Sequence, residues 1–293
     1  VRVTVHKKDF SDFGSLMLME ELQVQDGPIW AIAFSHSGKW LAVGGQDATL
    51  RVYRVYGLEV RENWAESMAS PFFAGRKQLL EEKPYLTFTG HTSDIIDLSW
   101  SRNDFLLSAS LDKTVRLWHP TQGTCLDVFQ HGDIVTSVDF HPRFEKFFVS
   151  GNFDKKIRIW NIRDGRVHEW QQTQEMVTAA SFSSSGEVVV VGLFRAQVLF
   201  YQMDGMRYFT QIECRNRRGT NKSGCKVTGF AFKPNTKDEI LVTTNDSRLR
   251  LYQTDDFSMR AKFKGLTNDS LQIRASFSED GKHIICGSEN GKV

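Results

Sequence analysis

Short stretches of alternating apolar and polar side chains recur along the chain, and each ends in an aromatic residue. Two of them read Val-Arg-Leu-Trp at 115–118 and Ile-Arg-Ile-Trp at 157–160. Alternation with a period of two is typical of a strand that buries one face. A turn with small residues and an aspartate precedes each stretch, at 108–114 and 150–156. The pattern predicts β-strands, and without long amphipathic periodicity it excludes a helical solenoid.

These stretches form a repeat of nearly constant length. The terminal aromatic residues lie at positions 53, 118, 160, 201 and 252, so two of the four spacings are 42 and 41 residues. The longer spacings indicate the same unit with insertions at about 55–84 and 205–225. A sixth copy begins at Cys286 and reaches residue 293 before its aromatic position. A period in this range is typical of proteins built from structural repeats.

Each repeat also contains an upstream strand that is followed by a second turn. Residues 29–34 and 177–182 are largely apolar, and Ser- and Gly-containing turns follow them. Strands and turns at this spacing predict one four-stranded sheet per repeat, arranged as an all-β propeller. We expect a single domain over 1–293, C-terminally incomplete, with about six visible four-stranded blades. A seventh blade is expected to be completed by sequence beyond residue 293.

The turn motifs resemble those of the WD40-repeat family over nearly the whole chain. Gly90-His91 and Gln130-His131 stand where that family has its Gly-His dipeptide. The resemblance implies two buried hydrogen-bonded tetrads, namely His91, Ser108, Asp112 and Trp118, and then His131, Ser150, Asp154 and Trp160. The family's Trp-Asp dipeptide does not occur, and Arg195 replaces the turn aspartate of the fourth repeat. We therefore expect the fourth blade to lack a tetrad.

A narrower resemblance lies in the segments 90–101, 217–229 and 243–252. They are similar to the Rab-binding WD-repeat proteins of recycling endosomes and their eukaryotic relatives. This implies a non-enzymatic adaptor in Rab-GTPase-linked vesicle and endosomal traffic, cytoplasmic or peripheral on endosomal or Golgi membranes. The GTPase-binding segment is then expected ahead of the propeller, outside this sequence. The alternative is a generic WD40 adaptor, such as a ubiquitin-ligase substrate receptor or a complex-assembly factor.

Composition narrows the functional classes further. The net charge of +2 over 293 residues argues against nucleic acid as a partner, so proteins are the expected partners. Four cysteines without a Cys-x-x-Cys pair predict neither a zinc site nor a disulfide framework, and we expect no cofactor. Residues 219–226 are a near match to a phosphate-binding loop, but Cys225 occupies the lysine position. Ser, His and Asp recur in successive repeats, which favours a structural role over a hydrolase triad.

Positive charge clusters between the fourth and fifth repeats. Only Glu213 opposes this set of basic residues: Arg207, Arg215, Arg217, Arg218, Lys222 and Lys226. Such a cluster can bind phosphoinositide headgroups, phosphorylated peptides or acidic partner segments, or it is a solvated loop with no ligand. The insertion at 55–84 is either a partner-binding arm or a linker. Three tryptophans in strand patterns are expected in the core: Trp30, Trp40 and Trp100.

Overall fold

A computed structural model describes residues 21–56, 79–214, 225–234, 236 and 239–293. Antiparallel strands dominate, and neighbours in each sheet are consecutive in the chain. The first three repeats each form a complete four-stranded blade. Their strands are β1 (Ile29–Phe34), β2 (Trp40–Gly45), β3 (Leu50–Arg54) and β4 (Leu86–Phe88), then β5 (Ile95–Trp100), β6 (Leu106–Ser110), β7 (Thr114–Trp118) and β8 (Cys125–Gln130), then β9 (Val135–Phe140), β10 (Phe147–Asn152), β11 (Lys156–Asn161) and β12 (Arg166–Gln172).

Two more complete blades follow, and the sixth repeat contributes two strands. These are β13 (Val177–Phe182), β14 (Val188–Leu193), β15 (Gln197–Gln202) and β16 (Arg207–Glu213), then β17 (Val227–Phe232), β18 (Glu239–Thr244), β19 (Arg248–Gln253) and β20 (Met259–Phe263), and finally β21 (Ala275–Phe277) and β22 (Ile284–Cys286). The described residues thus form five four-stranded blades, whereas about six were expected. The sixth repeat reaches residue 293 before the positions of its third strand.

The second expected insertion begins later than the sequence suggested. Residues 207–213 were placed in it, but they form β16, paired with β15 from Glu213 opposite Gln197 to Arg207 opposite Gln202. The pattern was misleading because β16 leaves Tyr208 and Phe209 more than half exposed. The insertion therefore follows Cys214, and residues 215–224 lie outside the described residues. Most of the first insertion, 57–78, lies outside them too.

Alternating strand direction gives the propeller two faces. Turns between the first and second strands of a blade, and between the third and fourth, lie on the face that we call the lower face. Examples are 101–105, 141–146 and 161–166. Turns between the second and third strands, such as 153–155 and 194–196, lie on the opposite, upper face together with the connections between blades.

Apolar side chains fill the space between adjacent blades. One cluster joins Val149 and Ile159 of the third blade to Val177 and Val189 of the fourth. The blades approach closely because the second strand carries a glycine where the next blade begins. A Cβ atom on Gly151 would lie 2.5 Å from Cγ1 of Val177. This packing makes successive blades a rigid unit.

Polar side chains near the propeller axis cross from one blade to another. Asp97 in β5 accepts a hydrogen bond from Val138 N at 2.8 Å and one from Arg274 Nη1 at 2.7 Å. Arg274 directly precedes β21, so its ion pair with Asp97 spans the central channel. Gln272 Nε2 likewise donates to the carbonyl oxygen of Thr178 at 2.8 Å. These bonds tie the sixth repeat to the second and fourth blades.

Candidate functional site

A chain of hydrogen bonds connects four side chains in the second blade. Nδ1 of His91 donates to Oδ2 of Asp112 at 2.7 Å, because an ionised carboxylate only accepts. Nε2 of His91 lies 2.7 Å from Ser108 Oγ, to which Trp118 Nε1 donates at 2.8 Å. Burial raises the pKa of Asp112, but hydrogen bonds from His91 and Thr114 outweigh it and hold the pKa well below its usual value.

The third blade departs from the tetrad that the sequence predicted. Ser150 Oγ lies 2.9 Å from Nε2 of His131 and accepts a hydrogen bond from Trp160 Nε1 at 3.1 Å. Nδ1 of His131 donates to the carbonyl oxygen of Phe129 at 2.9 Å instead of to Asp154. Asp154 forms an ion pair with Arg158, 2.5 Å between Nη2 and Oδ2. A guanidinium is the stronger partner for a carboxylate, so the expected His131–Asp154 contact is replaced.

The fourth and fifth blades carry other groups at the corresponding turns. Arg195 forms an ion pair with Glu175, 3.4 Å apart. In the fifth blade, Cys214 N donates to the Ala196 carbonyl at 2.8 Å, just as His131 N donates to the Lys113 carbonyl at 2.9 Å in the third. Cys214 therefore occupies the place of the histidine. Tyr252 Oη lies 3.5 Å from its sulfur, and burial raises the pKa of the Cys214 thiol to about 11.

The Ser-His-Asp arrangement in the second blade is inaccessible from solvent. Ser108 is fully buried, and the side chains of His91 and Asp112 are 1% and 5% exposed. A hydrolytic nucleophile must contact its substrate, which this burial prevents. The geometry supports a structural role for these residues. Among the described residues, moreover, no group of three or more His, Cys, Asp or Glu side chains is placed to hold a metal ion.

The structure separates the two described members of the predicted basic cluster. Arg207 begins β16 at the lower face and forms an ion pair with Asp204, 3.6 Å apart. Lys226 directly precedes β17 at the upper face, where its Nζ donates to the Ser270 carbonyl at 2.8 Å. A strand of seven residues, roughly 20 Å long, separates these two ends. The other four lie outside the described residues: Arg215, Arg217, Arg218 and Lys222.

An apolar cavity of about 640 Å³ opens at the upper face around the central channel. Four large side chains at its rim are 38–43% exposed: Trp30, Phe153, Phe194 and Leu271. They come from the first, third, fourth and sixth repeats, so the rim surrounds the channel. We call this set the upper-face rim. Lys226, whose ammonium group is held by Ser270, also lines the cavity.

The upper-face rim includes one tryptophan that was expected in the core. Trp40 and Trp100 are buried as predicted, but Trp30 is 40% exposed and its Nε1 donates to Asp94 Oδ2 at 2.9 Å. The pairing of β1 with β2 shifts register between Ile29 and Ala31, so Trp30 lies at an irregular position, where its indole contacts the residue that precedes β5. Phe153 precedes the turn residue Asp154. A large apolar residue within a turn is the sequence signal that identifies such a position.

Comparison with known proteins agrees with this architecture. The sequence model described as "WD domain, G-beta repeat" matches residues 18–54, 82–119 and 123–161. Those matches contain the strands β1 to β11 and the tetrad turns of the second and third blades. Relatives that carry WD repeats match nearly the whole chain. The chain belongs to the WD40-repeat family, whose propellers are generally non-enzymatic scaffolds for protein interactions.

Three relatives are similar to this chain over nearly its whole length. WD repeat-containing protein 44 of Xenopus laevis is 38% identical over 96% of this chain and 35% of its own length. An uncharacterized WD repeat-containing protein of Schizosaccharomyces pombe is 35% identical over 96% of the chain and 49% of its own. The 2-deoxy-glucose resistant protein 2 of Saccharomyces cerevisiae is 24% identical over 94% and 42%. The chain thus spans between a third and a half of these relatives.

Proposed function

We propose that this chain is the partner-binding propeller of an adaptor in Rab-GTPase-linked vesicle and endosomal traffic. The similarity of its motifs to Rab-binding WD-repeat proteins of recycling endosomes supports the pathway. On this proposal the protein is cytoplasmic or peripheral on endosomal or Golgi membranes, and the GTPase-binding segment lies outside this sequence. No helix among the described residues is long and apolar enough to cross a bilayer.

The upper-face rim carries the scaffold part of the proposal. Large apolar side chains grouped around a cavity on a protein surface mark interaction sites more often than single exposed ones. Trp30, Phe153 and Phe194 are aromatic, which is the class enriched among interface hot spots. Because they extend from separate blades that pack rigidly together, a partner can contact all of them at little entropic cost to the propeller.

Substitution of two rim residues tests this surface. The double variant Phe153→Ala with Phe194→Ala should bind a protein partner with at least tenfold lower affinity, since each aromatic anchor contributes on the order of 2 kcal/mol to binding. Affinity purification of the full-length protein, followed by a Kd measurement with the partner retained, is the readout. Tyr208→Ala removes a more exposed aromatic residue, which lies in β16, and should leave the affinity for the partner unchanged. If both variants retain every partner at wild-type affinity, the rim is not the binding surface.

The pathway is tested separately, in cells. Full-length protein should co-purify with a Rab-type GTPase locked in its GTP form and not with the GDP form, and should co-localise with endosomal markers. Absence of both signals from a correctly folded protein would contradict the traffic assignment. Partner binding at the upper-face rim would then still stand and point to a different adaptor role.

A further inference from the structure

A second cavity, of about 660 Å³, opens on the lower face between the second and third blades. Three turns contribute its rim: 101–105, 141–146 and 161–166. Each turn brings exposed positive charge to the same opening, in total Arg102, Arg143, Lys146 and Arg163. We call this set the lower-face basic pocket. It lies on the opposite face from the upper-face rim and from Lys226.

The four cations are not neutralised by ion pairs with acidic residues in the described part of the chain. None of them forms an ion pair with another described residue, and Lys146 instead lies 4.9 Å from the ring centroid of Phe147. Glu145 is the one carboxylate among the residues lining the pocket, and its Oε1 accepts a hydrogen bond from Asn103 N at 2.8 Å. Four like charges at one opening repel each other, and an anionic ligand would relieve that repulsion.

The floor of the pocket is apolar, and it is recessed between the blades. Leu117 and Phe140 are buried at its base, whereas Phe144 is 57% exposed at its edge. The turn carrying Phe144 is fixed by buried His141, whose Nδ1 accepts hydrogen bonds from Arg143 N at 3.1 Å and Phe144 N at 2.9 Å. The cavity is therefore pre-formed. It can take an apolar side chain at its floor while the rim binds neighbouring carboxylates.

We propose that the lower-face basic pocket binds an acidic linear segment of a partner protein that carries one large apolar residue. Carboxylates of the segment pair with Arg102, Arg143 and Arg163, and the apolar residue occupies the floor beside Phe144. A recessed apolar floor fits a peptide side chain better than the surface of a bilayer, which would contact only the rim. The partner is thus recognised by chemistry different from that of the upper-face rim.

Fluorescence anisotropy with a labelled peptide tests this proposal on the full-length protein. The probe has five glutamates around one leucine, and its control has glutamines in place of the glutamates. We expect the acidic probe to bind saturably and the glutamine control not to bind. The affinity for the acidic probe should fall as the salt concentration rises. Arg143→Gln with Arg163→Gln should weaken it at least tenfold. Arg54→Gln with Arg260→Gln, the same charge change at exposed positions in the first and fifth blades, should leave it unchanged.

A second variant and a second probe complete the test. Phe144→Ala keeps the charge of the pocket and should lower the affinity for the acidic probe at least threefold, with an unchanged melting temperature. Vesicles containing phosphatidylserine serve as the competing anionic surface. The proposal is overturned if wild-type protein shows no saturable peptide binding. It is also overturned if the two double-arginine variants lose peptide binding equally. Vesicle binding that depends on Arg143 and Arg163, with no peptide binding, would assign the pocket to a membrane instead.

Discussion

At the scale of single residues, the same place in three blades holds three different polar arrangements. His91 bonds to Asp112 in the second blade, His131 bonds to a backbone carbonyl in the third, and Cys214 contacts Tyr252 in the fifth. Buried polar groups need partners, but several partner chemistries satisfy that requirement. The repeat therefore preserves pairing while the side chains change.

Removing the turn aspartate should affect the second and third blades differently. Asp112→Ala leaves Nδ1 of His91 and the amide of Thr92 without their acceptor, so we expect a loss of about 3 kcal/mol in the free energy of unfolding. Asp154→Ala should cost less, about 1–2 kcal/mol, because its partner Arg158 retains access to water. Urea denaturation measures both, and equal losses would contradict the geometry.

The buried imidazole of His131 should make stability depend on pH. Burial lowers its pKa from 6.5 to about 4, so the unfolded chain binds the proton more tightly than the folded one. Its contribution is present above pH 6.5 and is lost as pH falls toward 4, by about 3 kcal/mol in all. In the variant His131→Asn, the free energy of unfolding should depend less steeply on pH between pH 6.5 and pH 4. An unchanged slope in that variant would show that His131 titrates normally.

The sequence predicted which residues cluster here, but not every bond. Ser, Asp and Trp recur at constant spacing after a histidine, and that pattern located both clusters. Arg116 and Arg158 stand at the same repeat position, yet only Arg158 pairs with the turn aspartate. Because the residue types are identical, the choice depends on side-chain geometry that spacing does not encode.

At the scale of strands and blades, buried carboxylates join neighbouring sheets. Asp139 in β9 accepts hydrogen bonds from Ser99 Oγ at 3.1 Å and Ser181 Oγ at 2.7 Å, so it links three blades. Burial raises the pKa of Asp139. Asp97 connects β5 to β9 and to Arg274. Apolar packing holds adjacent blades together, and these bonds determine which blades meet near the axis.

Loss of the carboxylate at position 97 should therefore weaken the propeller as a whole. Asp97→Ala removes the acceptor for Val138 N and leaves Arg274 unpaired in the channel, so we expect a loss of about 2–3 kcal/mol. Arg274→Ala should cost less, because Asp97 keeps its two backbone donors. Chemical denaturation of both variants gives the comparison, and a larger loss for Arg274→Ala would refute the assigned role of Asp97.

Strands were predictable where one face is buried and the other is not. Alternation located β7 and β11, whose inner positions are fully buried. It failed for β16, because an outermost strand exposes apolar side chains on both sides. It also misplaced Trp30, because the pairing of β1 with β2 shifts register between Ile29 and Ala31 and interrupts the alternation there. Edge positions lack the contrast on which periodicity depends.

At the scale of the whole molecule, the two faces have different chemistry. The upper-face rim is aromatic and apolar, whereas the lower-face basic pocket combines cations with an apolar floor. The pocket could not be predicted, because Arg102, Arg143 and Arg163 lie in turns of two blades whose relative position only the packed ring defines. A protein with two such faces can hold two partners at once, which is the function of a scaffold.

Hydrogen–deuterium exchange of the full-length protein with a purified partner tests the central claim most directly. We predict slower exchange in the upper-face turns 153–155 and 194–196 when the partner binds, with the outermost strands β12 and β16 unchanged. These strands serve as the internal control because they lie at the circumference of the ring. Protection confined to β12 and β16, with no change at the upper-face turns, would contradict the assignment of the upper-face rim as the partner-binding surface.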